Sequence, residues 1–338
     1  MATKTAVVGA GAWGTALASH AARLGHEVAI WAYEREVVDA INAAHENTPF
    51  LAGVKLPAAI RASSDFAEVL AGARIAILAP PSQHLRAISK AAAPHVTGGA
   101  KIVVASKGIE ESSLELLSTV LGETMPAVAA DRRVFLSGPS FAKEVASGLP
   151  TDVVVASTSM EASREVQGAL HAPMFRVYAS DDPIGVQIGG AIKNVIAIAA
   201  GACDGLGLGT NARAAIITRG LAEITRLGVA LGANPLTFLG MSGVGDLVLT
   251  CTGDLSRNRT LGMAVAKGAD PAEYVKSHRS VAEGYFTCAA ANALAEKRGV
   301  DMPITEQVFH VLHRGRPLMQ ALQMLVNREY KEELHGIR

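Results

Sequence analysis

Cysteine occurs only three times in the 338 residues, aromatic residues make up 4%, and neither sign of charge is in excess, with 31 Lys and Arg against 31 Asp and Glu. Each scarcity excludes something. Cys203, Cys251 and Cys288 are odd in number, scattered and without metal-ligand spacing, which excludes a disulfide framework and a zinc site and fits a reducing, cytoplasmic compartment. The charge balance gives no reason to expect nucleic acid or an anionic membrane as a partner, so any anion site must be local. No apolar run approaches the roughly 20 residues needed to span a bilayer, the longest being the stretch after Asn194, and membrane insertion is not expected. Lys4 and the nearly uncharged stretch ending in Ala16-Leu17-Ala18 imitate a secretory leader, but Gly9, Gly11 and Gly14 interrupt it.

Glycine, by contrast, is abundant at 33 residues, and alanine fills the segments with helical periodicity, a composition suited to close-packed helices and backbone-lined pockets. The length suits two domains. Short β-branched runs at 5–8, 28–32, 59–62, 75–79, 102–105, 134–136, 153–156 and 175–178 predict strands, separated by helical stretches such as 16–24 and 66–71. This alternation is the pattern of βαβ units and a mostly parallel sheet. Beyond Pro183, long Ala/Leu/Ile-rich helical stretches take over, broken by glycine-rich loops at 205–209 and 240–245. The expected architecture is an α/β domain over 1–182 followed by an all-α domain over 183–338, with a charged tail after Asn327 that frays.

Gly9-Ala10-Gly11-Ala12-Trp13-Gly14 stands between the first strand and a helix expected to begin near Thr15. In that context Gly9 permits a tight turn, Gly11 lets the backbone approach a pyrophosphate, and Gly14 lets helix and strand touch, while the helix start offers free N–H groups to the anion. The N-terminal domain is therefore Rossmann-like, with NAD or NADP as its cofactor. Glu34 lies about 20 residues beyond the fingerprint, where a ribose-binding carboxylate belongs. Arg35 beside it could pair with the 2′-phosphate of NADP, so the preference stays open.

Reduction of a ketone by a nicotinamide also needs a proton donor and groups that hold the substrate. Lys107 follows the fifth strand, where an open parallel sheet keeps its ligands; the alternative is a solvated loop lysine. Gly138 and Ser140 follow another strand and could offer backbone and hydroxyl donors. Lys193 interrupts the apolar helix of Ile188, Ile192, Val195 and Ile196, where a lysine is costly to bury without a purpose, unless it snorkels at a helix edge. Gly189, Gly190, Ala197 and Ala200 leave room for another group to approach it, and burial beside a second lysine would lower its pKa towards the range useful for proton transfer. Asp246 either orients Lys193 or is a helix N-cap. Ser256, Arg257 and Asn258 form either an anion-binding helix start or a capped helix with solvated arginines.

In order along the chain, the runs GAGAWGTALA from Gly9, SKGIE from Ser106, SGPSFAKEVASGLPT from Ser137, GGAIKNVIAIAAG from Gly189, GTNARAAIITRGLAEITRLG from Gly209, GVGDLVLTCTGDLSRNR from Gly243 and VAEG from Val281 resemble the NAD(P)-dependent glycerol-3-phosphate dehydrogenases, most closely the bacterial branch. The resemblance covers nearly the whole chain. It implies reversible hydride transfer between NAD(P)H and dihydroxyacetone phosphate, supplying glycerol 3-phosphate for phospholipid synthesis, with Lys193 as the proton-transfer residue. It implies substrate contacts from Lys107, Gly138, Ser140, Lys193, Asp246, Ser256, Arg257 and Asn258. Cofactor contacts are implied from Ala12, Trp13, Tyr33, Lys107, Ala142, Arg257, Val281 and Glu283, beside the fingerprint glycines and Glu34. Two positions depart from the family: Tyr33 stands where a basic residue is frequent, and Pro80-Pro81 where one proline is typical. A 3-hydroxyacid or ketopantoate-type reductase would explain Lys193 but not a phosphate site, and a non-catalytic NAD(P)-sensing module would leave the charged residues without a use. A nucleotide-sugar dehydrogenase would need an activated cysteine, for which the three thiols have no evident neighbour. The sequence sets no subunit number; a homodimer is the working expectation.

Overall fold

The computed structural model describes residues 3–278, 281–329, 332, 333 and 336, so the tail after Asn327 falls partly outside the described residues. The chain divides into two compact units, Met1–Ser106 with Leu117–Pro183, and Lys107–Leu116 with Ile184–Arg338. Sequence order alone groups 107–116 with the first domain. The apolar side chains of Ile109, Leu114 and Leu116 instead join the core of the second unit.

In the first unit, β1 (Lys4–Val8), β2 (Glu27–Trp31), β3 (Arg61–Ser63), β4 (Ile75–Leu78), β5 (Lys101–Val104), β6 (Arg133–Ser137), β7 (Thr151–Ala156) and β8 (Phe175–Ser180) form one sheet in the order β3-β2-β1-β4-β5-β6-β7-β8. All neighbours are parallel except β6 and β7. The strand order reverses between β1 and β4, the kind of switch point beside which open α/β sheets bind ligands. Val7, Ile30, Ile77, Val103 and Val134 are all buried, as continuous apolar strands in a sheet covered on both faces require. The eight strands match the expected runs with ends displaced by one or two residues. β3 starts two residues late because the Ile60 N–H donates to the Pro57 carbonyl and holds 59–60 in a turn.

The helix after β1 runs over Ala12–Arg23 and so begins three residues earlier than expected. Gly11 is its extended N-cap, and the Thr15 N–H already donates to the Gly11 carbonyl. The stretch that imitates a leader is therefore β1 and this helix, with Ala16, Leu17 and Ala18 fully buried. On the same helix the His20 ring packs at a tilt against Phe175, and its Nε2 lies 2.7 Å from the Leu170 carbonyl. Burial lowers its pKa to about 4, the carbonyl acting in the opposite sense. The native state thus prefers neutral His20, while the unfolded chain takes up a proton below its ordinary value of 6.5. Stability from this site is complete above that value and falls as pH drops towards 4, by up to about 3 kcal/mol. Urea melts at neutral and acidic pH should show this loss in the native protein, and a shallower pH dependence in His20→Gln.

The second unit is built on the helix Pro183–Gly205, packed with the helices Gly209–Ala230, Asp246–Thr252, Arg257–Ala266, Glu283–Arg298, Pro303–Arg314 and Leu318–Val326. The first is long and apolar enough to cross a membrane by length and composition, more so than the run after Asn194 suggested, and 94% of its apolar window is buried in the protein itself. Glycines set how near its neighbours come. A methyl group on Gly201 would collide with the Arg259 carbonyl oxygen, one on Gly262 with the Ile198 carbonyl oxygen, and one on Gly189 with the Ser242 carbonyl oxygen. Backbone thus packs directly on backbone at three places along this helix. The expected glycine loop at 240–245 is largely a single wide turn, Met241–Gly245, that leads into Asp246–Thr252.

Candidate active site

Gly189 lies one helical turn before Lys193, so the backbone approach it permits brings the Asp246 helix start alongside the lysine. Lys193 is 7% exposed, and its Nζ donates to Asp246 Oδ1 at 2.6 Å and to Thr250 Oγ1 at 2.8 Å. Lys107, from the segment that packs in the same unit, donates to the other carboxylate oxygen, Oδ2, at 2.7 Å. Asp246 is 1% exposed and is the first residue of its helix; the N-cap is Gly245. Its carboxylate accepts from two ammonium groups, one on each oxygen. Lys193 is neither snorkelling nor solvated.

Two ammonium groups thus share one carboxylate in this buried cluster. Burial lowers the Lys193 pKa to about 8, with Asp246 opposing the shift and Lys107 adding to it. Burial alone would raise the Asp246 carboxyl; the charges of Lys107 and Lys193 outweigh it and hold the group below the usual carboxylate range. An ammonium carries three donors, and two of those on Lys193 are engaged within the protein. The third can serve a substrate oxygen.

Ser256 caps the helix Arg257–Ala266, its Oγ accepting from the Arg259 N–H. Of the two arginines there, Arg259 is committed to Asp204 at 2.9 Å and Asp254 at 3.0 Å. Arg257 is exposed and makes no hydrogen bond to another described residue, so its guanidinium and the unbonded amides of the first turn are available to an anion. Asn258 is 8% exposed and spans the site: its Nδ2 donates to Asn194 Oδ1 at 2.8 Å and its Oδ1 accepts from the Gly284 N–H at 2.9 Å. It therefore fixes the starts of two helices relative to Lys193's neighbour, with one amide hydrogen left for a ligand. Val281 and Glu283 lie at the second of these starts, and Glu283 faces the charge of Arg257.

In the first unit the three fingerprint glycines have different surroundings. Gly9 has φ +112°, and a methyl group on it would lie 2.8 Å from the Pro80 nitrogen; one on Gly14 would collide with the Gly9 carbonyl oxygen, while one on Gly11 would meet nothing within 4 Å. Turn and close packing are thus needed at Gly9 and Gly14, and open space remains at Gly11 for a pyrophosphate. The Trp13 indole N–H is buried without a hydrogen-bond partner beside this turn. An orphaned donor next to free helix-start amides fits a bound dinucleotide. Tyr33, at 81% exposure, and Glu34 stand on the surface after β2, where they can meet a ribose or adenine. Gly138 has φ +131°, and the Ser140 hydroxyl donates to the Gly138 carbonyl at 2.9 Å, so Ser140 offers a ligand its lone pairs rather than its proton. Ala142 begins the short helix that follows. Ser106 donates to the Pro80 carbonyl, tying the end of β5 to the double-proline loop.

Sequence reasoning missed Thr250. Its position four residues after Asp246, on the same helix face, was the available signal. The three cysteines are buried and free, and burial pushes the Cys251 thiol up to about 12 and raises Cys288 as well, the reverse of an activated nucleophile.

Comparison with known proteins bears on these arrangements. The models for the N-terminus and C-terminus of NAD-dependent glycerol-3-phosphate dehydrogenase match residues 4–163 and 182–323. A glycerol-3-phosphate dehydrogenase [NAD(P)+] of Geobacter metallireducens is 51% identical over 333 residues, covering 98% of this chain and 99% of that protein. The crystal structure of glycerol-3-phosphate dehydrogenase from Coxiella burnetii superposes with a TM-score of 0.92 at 39% identity, covering 97% and 99% of the two chains. A ketopantoate reductase from Ralstonia eutropha shares the fold at a TM-score of 0.58 and 18% identity, over 92% and 97% of the chains. The chain belongs to the NAD-dependent glycerol-3-phosphate dehydrogenase family.

Proposed function

We propose that the protein catalyses reversible reduction of dihydroxyacetone phosphate at C2 to sn-glycerol 3-phosphate, a precursor for phospholipid synthesis, with NADH or NADPH as reductant. The observation that carries this reading is the buried carboxylate of Asp246 shared between Lys193 and Lys107. The dinucleotide, when bound, supplies and takes back the hydride. Lys193 gives its free ammonium proton to the oxygen on C2 during reduction and accepts it during oxidation. Asp246, Thr250 and Lys107 hold that ammonium in place and set its charge, a preorganised electrostatic arrangement that needs no rearrangement as the alkoxide develops. Ser256, Arg257 and Asn258 present the phosphate subsite, the bidentate guanidinium preferring a phosphoryl group to a bare hydroxyl. This subsite favours a triose phosphate over the unphosphorylated hydroxyacids.

The first unit is the dinucleotide domain in this proposal. Gly9, Gly11, Ala12, Trp13 and Gly14 receive the pyrophosphate, Tyr33 and Glu34 the adenosine end, and Gly138, Ser140 and Ala142 line the ligand side of the loop after β6. The resemblance assigns cofactor contacts to Lys107, Arg257, Val281 and Glu283 as well, and the working assembly is a cytoplasmic homodimer. The deciding experiment follows loss of NAD(P)H absorbance with dihydroxyacetone phosphate and each reduced cofactor in turn. Turnover with an unphosphorylated hydroxyacid, and none with the triose phosphate, would overturn the assignment.

A pH profile follows from the lowered lysine. Reduction needs the Lys193 ammonium, so its kcat/KM should be level below about 8 and fall roughly tenfold per pH unit above it. Oxidation of glycerol 3-phosphate needs the free amine and should rise through the same region. Initial rates in both directions across that range provide the check.

A further inference from the structure

Asn47 lies far along the chain from the glycine turn, yet it is fully buried and every polar atom of its side chain is engaged. Its Nδ2 donates to the Ala10 carbonyl at 2.7 Å and to Thr15 Oγ1 at 2.8 Å, and its Oδ1 accepts from the Phe50 N–H at 3.3 Å. Ala10 is the central residue between Gly9 and Gly11. In a planar trans peptide the carbonyl and the following N–H point in opposite directions. Holding the Ala10 oxygen towards Asn47 therefore turns the Gly11 N–H away from it. That N–H donates to no described acceptor, and the space beside Gly11 is open.

We propose that Asn47 is a positioning residue for the dinucleotide: by gripping the Ala10 carbonyl it presets the Gly11 N–H towards the pyrophosphate. The inference rests on the dinucleotide reading of the first unit. The Ala10–Gly11 peptide has glycine on one side, where rotation is easy, so without the grip the turn would sample orientations in which this donor faces elsewhere, and binding would have to select among them. A preset donor avoids that loss of affinity. Thr15 contributes twice: its Oγ1 accepts the second amide hydrogen, which stops the Asn47 side chain from flipping, and its hydroxyl donates more weakly to the same Ala10 carbonyl at 3.4 Å.

The test is Asn47→Asp, with dinucleotide affinity read directly from the fluorescence of NADH or NADPH titrated into the protein. Aspartate keeps the acceptor for Phe50 but has no donor for Ala10. The dissociation constant should rise by about tenfold or more, while the KM for dihydroxyacetone phosphate and the kcat at saturating cofactor stay within about threefold. Thr15→Val, which leaves Asn47 in place but loosens it and removes the long hydroxyl contact to the Ala10 carbonyl, should raise the dissociation constant by about two- to fivefold and provides a reading if Asn47→Asp does not fold. An unchanged dissociation constant in either folded variant would overturn the inference. So would an equal loss of triose-phosphate and dinucleotide affinity together with a collapse in melting temperature, which is the mark of a merely structural residue. Failure of the underlying reading looks different: the unmodified protein itself would bind neither dinucleotide, and the inference would go with it.

Discussion

Lys193→Met should lower kcat for dihydroxyacetone phosphate reduction by about 10²-fold or more, the usual cost of removing a general acid, while leaving affinity for NADH within about twofold. Methionine has a similar length and reach, and its thioether needs no hydrogen bond in a buried site. Removing the ammonium leaves Asp246 its ion pair with Lys107, so the buried carboxylate keeps a counter-charge. The fold should therefore survive, and the lost rate can be read as chemistry. Steady-state rates with a melting curve on the same sample separate the two. Near-normal turnover in a folded Lys193→Met protein would transfer the proton to another group and remove the assignment.

Asp246→Asn should affect rate and stability together. The carboxylate accepts one ammonium on each oxygen. An amide of the same shape keeps one acceptor, and its NH₂ must face a lysine. Two ammonium groups would then lose the carboxylate they share, and breaking a buried pair from one side costs roughly 3–5 kcal/mol. Lys193 escapes part of that cost by giving up its proton, which removes the acid needed for reduction. We expect a lower melting temperature, a loss of about 10²-fold in kcat, and a fall in reduction rate that begins at lower pH than in the native protein. Combining it with Lys193→Met should cost little more rate than Lys193→Met alone, because both act through one proton. A multiplicative loss in the double variant would mean that Asp246 also acts elsewhere.

The sheet was readable from the sequence because parallel strands buried on both faces are short runs of β-branched residues between glycine-marked turns, a purely local pattern. Less legible was the end at residues 59–60, where a proline turn, not side-chain patterning, delays the strand. Lys193 was readable for a related reason: a charge inside an apolar helix contradicts its own neighbourhood. The membership of 107–116 was not, because nothing local distinguishes a loop that packs beside its strand from one that joins another core. The same limit hid the pairing of Asn258 with Asn194, 64 residues apart, and of Asn47 with Ala10, 37 apart. Such residues resemble ordinary loop amides until the chain has folded, and the division between Arg257 and Arg259 became visible only when Asp204 and Asp254 were seen to claim the latter.

The direct backbone packing at Gly189, Gly201 and Gly262 has an evolutionary consequence. The side chains that face a ligand can be exchanged on a frame whose spacing is set by main-chain atoms, so specificity can drift without the scaffold losing its register. The glycines themselves have no such latitude. An added methyl there would act as a wedge between helices, making silent positions, far from any ligand, among the least forgiving in the molecule.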